Sequence, residues 1–180
     1  IKSSKQLSSI DDATQALQYK AFVPAMGTEM ERAITHAYPL TVSLLIVDAF
    51  RKYIDTYGID EAHGLLAAVV ATVKKHIRDM DLLARFGADE FILCLSGMTN
   101  GESVQKLEAI RRDIQDHIVN KQDASPIHVT MAAVQLDGER DLKTPIQDLF
   151  AAVGKIIMQT KTQRREDLVV VPIKEILTGR

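Results

Sequence analysis

The sequence predicts an α/β (α+β) domain, a mixed central β-sheet flanked by helices, with one tight hairpin carrying most of its ligand-handling charge. Two observations lead there. Short apolar runs, at Leu40 to Val47, Leu82 to Ala84, Phe91 to Leu95, Ile127 to Leu136 and Leu168 to Val171, alternate with longer segments of helical spacing. Small and acidic residues, Gly87-Ala88-Asp89-Glu90, separate two of those runs by no more than a turn, which reads as a β-hairpin with two adjacent carboxylates at its tip.

In chain order, residues 1–9 are rich in Ser and Lys and read as a linker, leaving 10–180 as a single domain cut from a longer protein. Asp11 or Asp12 caps a first helix in which Ala13, Leu17, Ala21, Phe22, Met26 and Met30 repeat at helical spacing up to about His36. Tyr38-Pro39 breaks it, and Leu40 to Val47 is apolar enough for a buried central strand ended by Asp48. Ala49 to Tyr57 reads as a short helix closed by Gly58, and Asp60 opens a longer one to about Ile77. After the hairpin come a helix over Asn100 to Ile118, a strand over Ile127 to Leu136, a helix from Pro145 to about Thr160, and a short strand before Pro172.

Composition narrows the function classes. The chain has 180 residues, 46% of them hydrophobic, enough for a sizeable core. A net charge of −2, no Trp and few aromatic residues argue against nucleic acid as a partner. Cys94, the one cysteine, lies in an apolar run and fits a core residue in a reducing compartment. No apolar stretch approaches the roughly 20 residues that span a bilayer, so a cytoplasmic domain is expected, or the cytoplasmic part of a membrane-anchored protein.

The densest chemistry is Arg78 to Phe91, and Gly87-Ala88-Asp89-Glu90-Phe91 within it resembles the signature of the GGDEF domains of diguanylate cyclases. The resemblance extends to Leu44 to Gly58, which is similar to that family's strand and helix ending in Asp55-Thr56-Tyr57-Gly58. Arg78-x-x-Asp81 matches the spacing of its product-inhibition motif. The similarity runs from about Asp11 to Val171 and implies the nucleotide-cyclase-like GGDEF fold. At the N-terminus the family's Asp-x-Leu-Thr-Gly-Leu-x-Asn-Arg signature keeps only Asp11, Thr14 and Phe22 here.

The resemblance implies a chemistry that this chain only partly supports. Joining two GTP molecules into cyclic di-GMP needs a divalent ion on the triphosphate, and magnesium demands hard oxygen ligands. The family takes one carboxylate from the hairpin, matching Asp89 beside Glu90, and one from an Asp-x-Asp at the end of the first long strand. Alignment puts the second Asp at Asp48 and the ligand itself at Ile46, whose alkyl side chain cannot bind magnesium. A metal site rebuilt on Asp48 would require deleting two residues before Phe50. The guanine-reading Asn and Asp fall at Ile54 and His63, so base recognition is altered, with His63 either compensating in part or facing solvent. Arg51, Lys161 and Arg165 match phosphate-side basic residues and read as relics of a triphosphate site, although positive charge after a helix is also commonplace.

Arg78-x-x-Asp81 is intact. In the family the Arg donates to the acceptor edge of a guanine of cyclic di-GMP while the Asp accepts from the opposite edge, with a further Arg drawn from the next helix or a neighbouring molecule, a position Arg111 or Arg112 could fill. The expectation is therefore a catalytically impaired GGDEF domain that binds cyclic di-GMP through Arg78 and Asp81 and regulates attached sensor or phosphodiesterase-type domains. Two other readings stay open. One is an active cyclase using GTP and magnesium on Asp48, Asp89 and Glu90; the other is a homodimerisation or interaction module without ligand.

Overall fold

The computed structural model describes residues 9–120, 123–163 and 168–177. Its elements follow the chain as β1 (Leu17–Gln18), α1 (Tyr19–His36), β2 (Leu40–Val47), α2 (Phe50–Tyr57), α3 (Ile59–Lys74), β3 (Leu82–Arg85), β4 (Glu90–Ser96), α4 (Asn100–His117), β5 (Val129–Leu136), α5 (Glu139–Leu142), α6 (Ile146–Gln163), β6 (Leu168–Pro172) and α7 (Ile173–Leu177). They build one six-stranded sheet of order β1-β3-β4-β2-β5-β6. The two outer pairs, β1 with β3 and β5 with β6, are parallel, and the three inner pairings are antiparallel. The expected mixed sheet between helices is the sheet found.

Every residue of β2 is buried, as its near-continuous apolar sequence requires of a strand covered on both faces. The strand's twofold alternation sorts its side chains into two layers. Leu45 and Val47 join Leu66, Val69, Leu107 and Ile110 of α3 and α4, whereas Leu40, Val42, Leu44 and Ile46 join Phe22 and Met26 of α1 and Leu149 and Val153 of α6. Ile46 thus has a structural employment of its own, at 7% exposure in the second layer.

The first helix begins later than its hydrophobic spacing predicts. Asp11 does not cap it; the carboxylate instead accepts from Thr14 N at 3.1 Å and Thr14 Oγ1 at 2.6 Å, closing a turn. Gln15 follows in the left-handed region, and Leu17–Gln18 then runs extended against Ala84–Arg85 of β3. Tertiary strand pairing overrides local helix spacing here, and the helix starts at Tyr19. At the other end of the chain, Pro172 is included in β6 rather than following it, which an edge strand tolerates.

Candidate functional site

The site forms where the end of β2 meets the tip of the β3–β4 hairpin. Glu90 pairs with Ile46 across the β2–β4 ladder, Thr130 pairs with Ile46 from the β5 side, and Asp89 O accepts from Val47 N at 3.0 Å. The tip is drawn tight by two donations to Glu90 O, from Phe86 N at 2.8 Å and Gly87 N at 3.2 Å. A Cβ on Gly87 would come within 3.1 Å of Glu90 Oε2, so this first glycine of the hairpin keeps room for the acidic side chain. Ala88, standing where the family has a second glycine, is exposed.

Arg85, at the base of the hairpin, holds this tip in place. Its Nε donates to Gly87 O at 3.2 Å, its Nη2 to Ala88 O at 3.0 Å, and its Nη1 to Asp11 at 3.2 and 3.4 Å. Burial works against the Asp11 carboxylate, yet the donors on Thr14 and Arg85 prevail and hold its pKa below the ordinary value. Asp11 and Thr14, two of the three survivors of the N-terminal signature, thereby serve the hairpin from 74 residues away.

At the would-be metal position the hydrocarbon of Ile46 lies between Glu90 and Thr130, and Asp48 is occupied elsewhere. Thr130 Oγ1 donates to both Asp48 oxygens at 2.9 Å, and Lys161 Nζ stands 3.7 Å from Asp48 Oδ1. Glu90 is pushed above the usual carboxylate range, first by burial and then by its neighbour Asp89, with Lys161 opposing. Among the described residues no group of three or more His, Cys, Asp or Glu side chains is placed to hold a metal ion. Beside Glu90 and Asp48 this corner presents the alkyl group of Ile46 and the ammonium of Lys161, neither of which is an oxygen ligand for a magnesium ion.

The other expected nucleotide positions are scattered. Ile54 packs against the first core layer and His63 is half-buried on α3. A cavity of about 280 Å³ does open beside α2, and its lining includes Asp48, Lys52, Tyr53, Tyr57, Asn120 and His128, without Ile54 or His63. Arg51 projects into solvent and pairs only loosely with Asp55, at 3.7 Å. Arg165 lies outside the described residues.

Arg78 and Asp81 sit together between α3 and β3, and each completes the other. Asp81 accepts from Arg78 N at 2.8 Å, Arg78 Nε at 3.1 Å, Arg78 Nη2 at 3.1 Å and Ser96 N at 3.0 Å, so two oxygens serve four donors. Its side chain is fully enclosed, whereas that of Arg78 is 47% exposed. The guanidinium also donates through Nη2 to Ser96 O, and its Nη1 has no hydrogen-bond partner among the described residues. The hydrogen bond with Asp81 raises the Arg78 pKa further, against the effect of burial. The fork–fork pairing leaves one outward-facing donor arm on a cation fixed in direction.

Arg111 and Arg112 are not brought to that arm. Both grip Glu108 of their own helix at 2.7–2.8 Å, Arg111 Nη1 also reaching Gln115 at 3.1 Å. The acid that faces Arg78 electrostatically is Glu102, at the start of α4 and nine residues earlier than Arg111, about 13 Å along a helix.

Comparison with known proteins bears on the family and the fold. The family model "Diguanylate cyclase, GGDEF domain" matches residues 8–167. Diguanylate cyclase DosC of Escherichia coli is 28% identical over 142 residues, covering 76% of this chain and 30% of that protein. The response regulator PleD of Caulobacter vibrioides is 21% identical over 169 residues, 92% of this chain and 37% of PleD. The chain thus spans about a third of the length of these relatives. Among solved structures, the GGDEF domain of FimX from Pseudomonas aeruginosa superposes with a TM-score of 0.77 at 18% identity, covering 92% of this chain and 99% of that one. The GGDEF domain of DgcB from Caulobacter crescentus, solved in complex with c-di-GMP, gives 0.74 at 17% identity, covering 91% and 92%. At such identities the structural likeness establishes the fold.

Proposed function

This chain belongs to the GGDEF domain family of diguanylate cyclases, and from that premise we propose that it is a catalytically impaired member of bacterial cyclic di-GMP signalling that binds the dinucleotide instead of making it. One observation carries the reading. Ile46 is buried in the second core layer between Glu90 and Thr130, at the position where the family resemblance implies a metal-gripping carboxylate, and this supports the reading. Asp48 offers no substitute while Thr130 and Lys161 hold it.

Binding rests on Arg78. Its free Nη1 arm is suited to the O6 and N7 acceptors of a guanine, and Asp81, enclosed and saturated with donors, supports the reading as the group that fixes the guanidinium. For Asp81 itself to take the opposite base edge, Arg78 must first release it. The output would pass to domains attached outside this chain, such as sensor or phosphodiesterase-type modules.

Calorimetric titration with cyclic di-GMP tests the proposal, with heat expected in wild type and lost in Arg78→Ala. Incubation with GTP and magnesium or manganese tests its other half. Cyclic di-GMP formed by wild type and abolished in Asp89→Ala would establish a working cyclase, the reading that the retained Asp89-Glu90 pair favours.

A further inference from the structure

Ser96 closes β4, and its three polar atoms go to three different partners. The amide donates to Asp81 Oδ1 at 3.0 Å, the carbonyl accepts from Arg78 Nη2, and the hydroxyl donates to Glu29 Oε1 at 2.7 Å. Glu29 is a carboxylate of α1 with only 5% exposure, and the other buried residues of that helix, Phe22, Met26, Met30 and Ala33, are apolar. The same oxygen accepts from Tyr38 Oη at 2.7 Å, and Arg32 Nη1 approaches the other at 3.4 Å.

A carboxylate enclosed among apolar side chains costs several kcal/mol unless donors replace its lost water. Here one donor to Oε1 comes from the strand that carries Arg78's carbonyl partner and another from just beyond the end of α1, so Glu29 keeps both of its short hydrogen bonds only while both stay in place, with Arg32 the longer contact on its other oxygen. Helix α1 itself is intrinsically weak, with Pro24 and Gly27 in its interior. Its order therefore leans on tertiary contacts of this kind.

We propose that Ser96 and Glu29 are the positioning residues of the Arg78 site, and that their hydrogen bonds couple ligand engagement of Arg78 to the seating of helix α1. The proposal deepens the reading that Arg78 takes a guanine ligand and rests on it for the ligand's identity. A base that draws the guanidinium outward weakens the Nη2 bond to Ser96 O and the pairing with Asp81. Ser96 is then free to shift, and the donor it supplies to Glu29 shifts with it. Conversely, a loosened α1 gives Arg78 a less fixed partner, since coupling between sites is reciprocal.

The test separates this relay from ordinary packing. Arg78 and Glu29 share no hydrogen bond, so Arg78→Ala and Glu29→Gln, measured by urea unfolding of the 180-residue chain, would be additive if each acted alone. The expected result is non-additivity that vanishes when the cycle is repeated in a Ser96→Ala background; additivity with Ser96 present, or non-additivity that survives its removal, overturns the relay. With ligand, Glu29→Gln is expected to weaken cyclic di-GMP binding roughly 2- to 30-fold, the range such couplings span, with Arg78 intact. Unchanged affinity in Glu29→Gln also overturns it. If wild type binds no cyclic di-GMP while the Ser96-dependent non-additivity is present, the ligand reading fails and the relay stands.

Discussion

At Ile46 an alkyl side chain stands beside Glu90 in the core, and what a carboxylate would do in its place can be measured as stability. Ile46→Asp would place a carboxylate at 7% exposure directly beside Glu90, whose own pKa is already raised by burial and by Asp89. The expected cost is about 3 kcal/mol without metal, from desolvation and like charge. Magnesium or manganese should recover part of that loss by raising the melting temperature of the variant and not of wild type; a variant indifferent to both ions would mean that the site lacks more than one oxygen. Glu90 supplies a second reading of the same corner. A carboxyl with a raised folded-state pKa stabilises the fold only while protonated, so its contribution is present at acid pH and lost as pH rises through the folded value. Glu90→Gln should accordingly raise the urea midpoint at pH 7 and match wild type below about pH 4, where both side chains are neutral. Equal midpoints at pH 7 would contradict the burial argument.

At the scale of elements, the β3–β4 hairpin is held by Arg85 as well as by its own turn. Two tip carbonyls and Asp11 share one guanidinium. Arg85→Ala should cost about 2–4 kcal/mol, because it leaves Asp11 partly buried and without its cation, and should speed amide exchange selectively at residues 86–90; a loss spread evenly over the sheet would argue against a local clamp. Helix α1 shows where sequence reading stops. The apolar spacing from Ala13 onward is real, but it cannot reveal that Asp11 and Thr14 close a turn or that Leu17–Gln18 has a strand waiting beside it. Both are partners distant in sequence or particular in geometry. The helix's other end carries a correctable strain, since Ala37 adopts φ 55° as its left-handed cap while donating to Ala33 O. Ala37→Gly should stabilise the chain by about 0.5–1 kcal/mol, seen as a rise in melting temperature.

For the molecule as a whole, the layered sheet was legible because β2, β4 and β5 declare themselves by apolar runs, and the hairpin because small acidic residues interrupt two of them. The apolar character of Ile46 and Ile54 was also readable, and the structure packs Ile46 in one core layer and Ile54 against the other. What could not be read was who holds whom: Asp48 by Thr130 and Lys161, Asp81 by Arg78 and Ser96, Glu108 by both Arg111 and Arg112. Such pairings set the acid behaviour of the whole fold. Glu108 is held down to about 2, first by its hydrogen bond from Arg111, and Asp11 and Asp113 are likewise lowered, Asp113 chiefly through His76. A lowered folded-state pKa means stability that is present above the ordinary carboxyl value and lost as pH falls through the folded one. With Glu102, Asp123 and Glu139 also lowered, groups of that sign outnumber Glu90, which acts oppositely, so the domain should lose stability progressively between about pH 4.5 and pH 2. Glu108→Gln isolates one share of this loss. Its two guanidinium partners remain while the charge they bind is removed, at an expected cost of about 1 kcal/mol at pH 7, given partial solvent screening. That difference should shrink to nothing as the wild-type carboxyl protonates near pH 2, and urea midpoints for the two chains that stay parallel down to that pH would show that the arginines grip Glu108 no more tightly when it is charged.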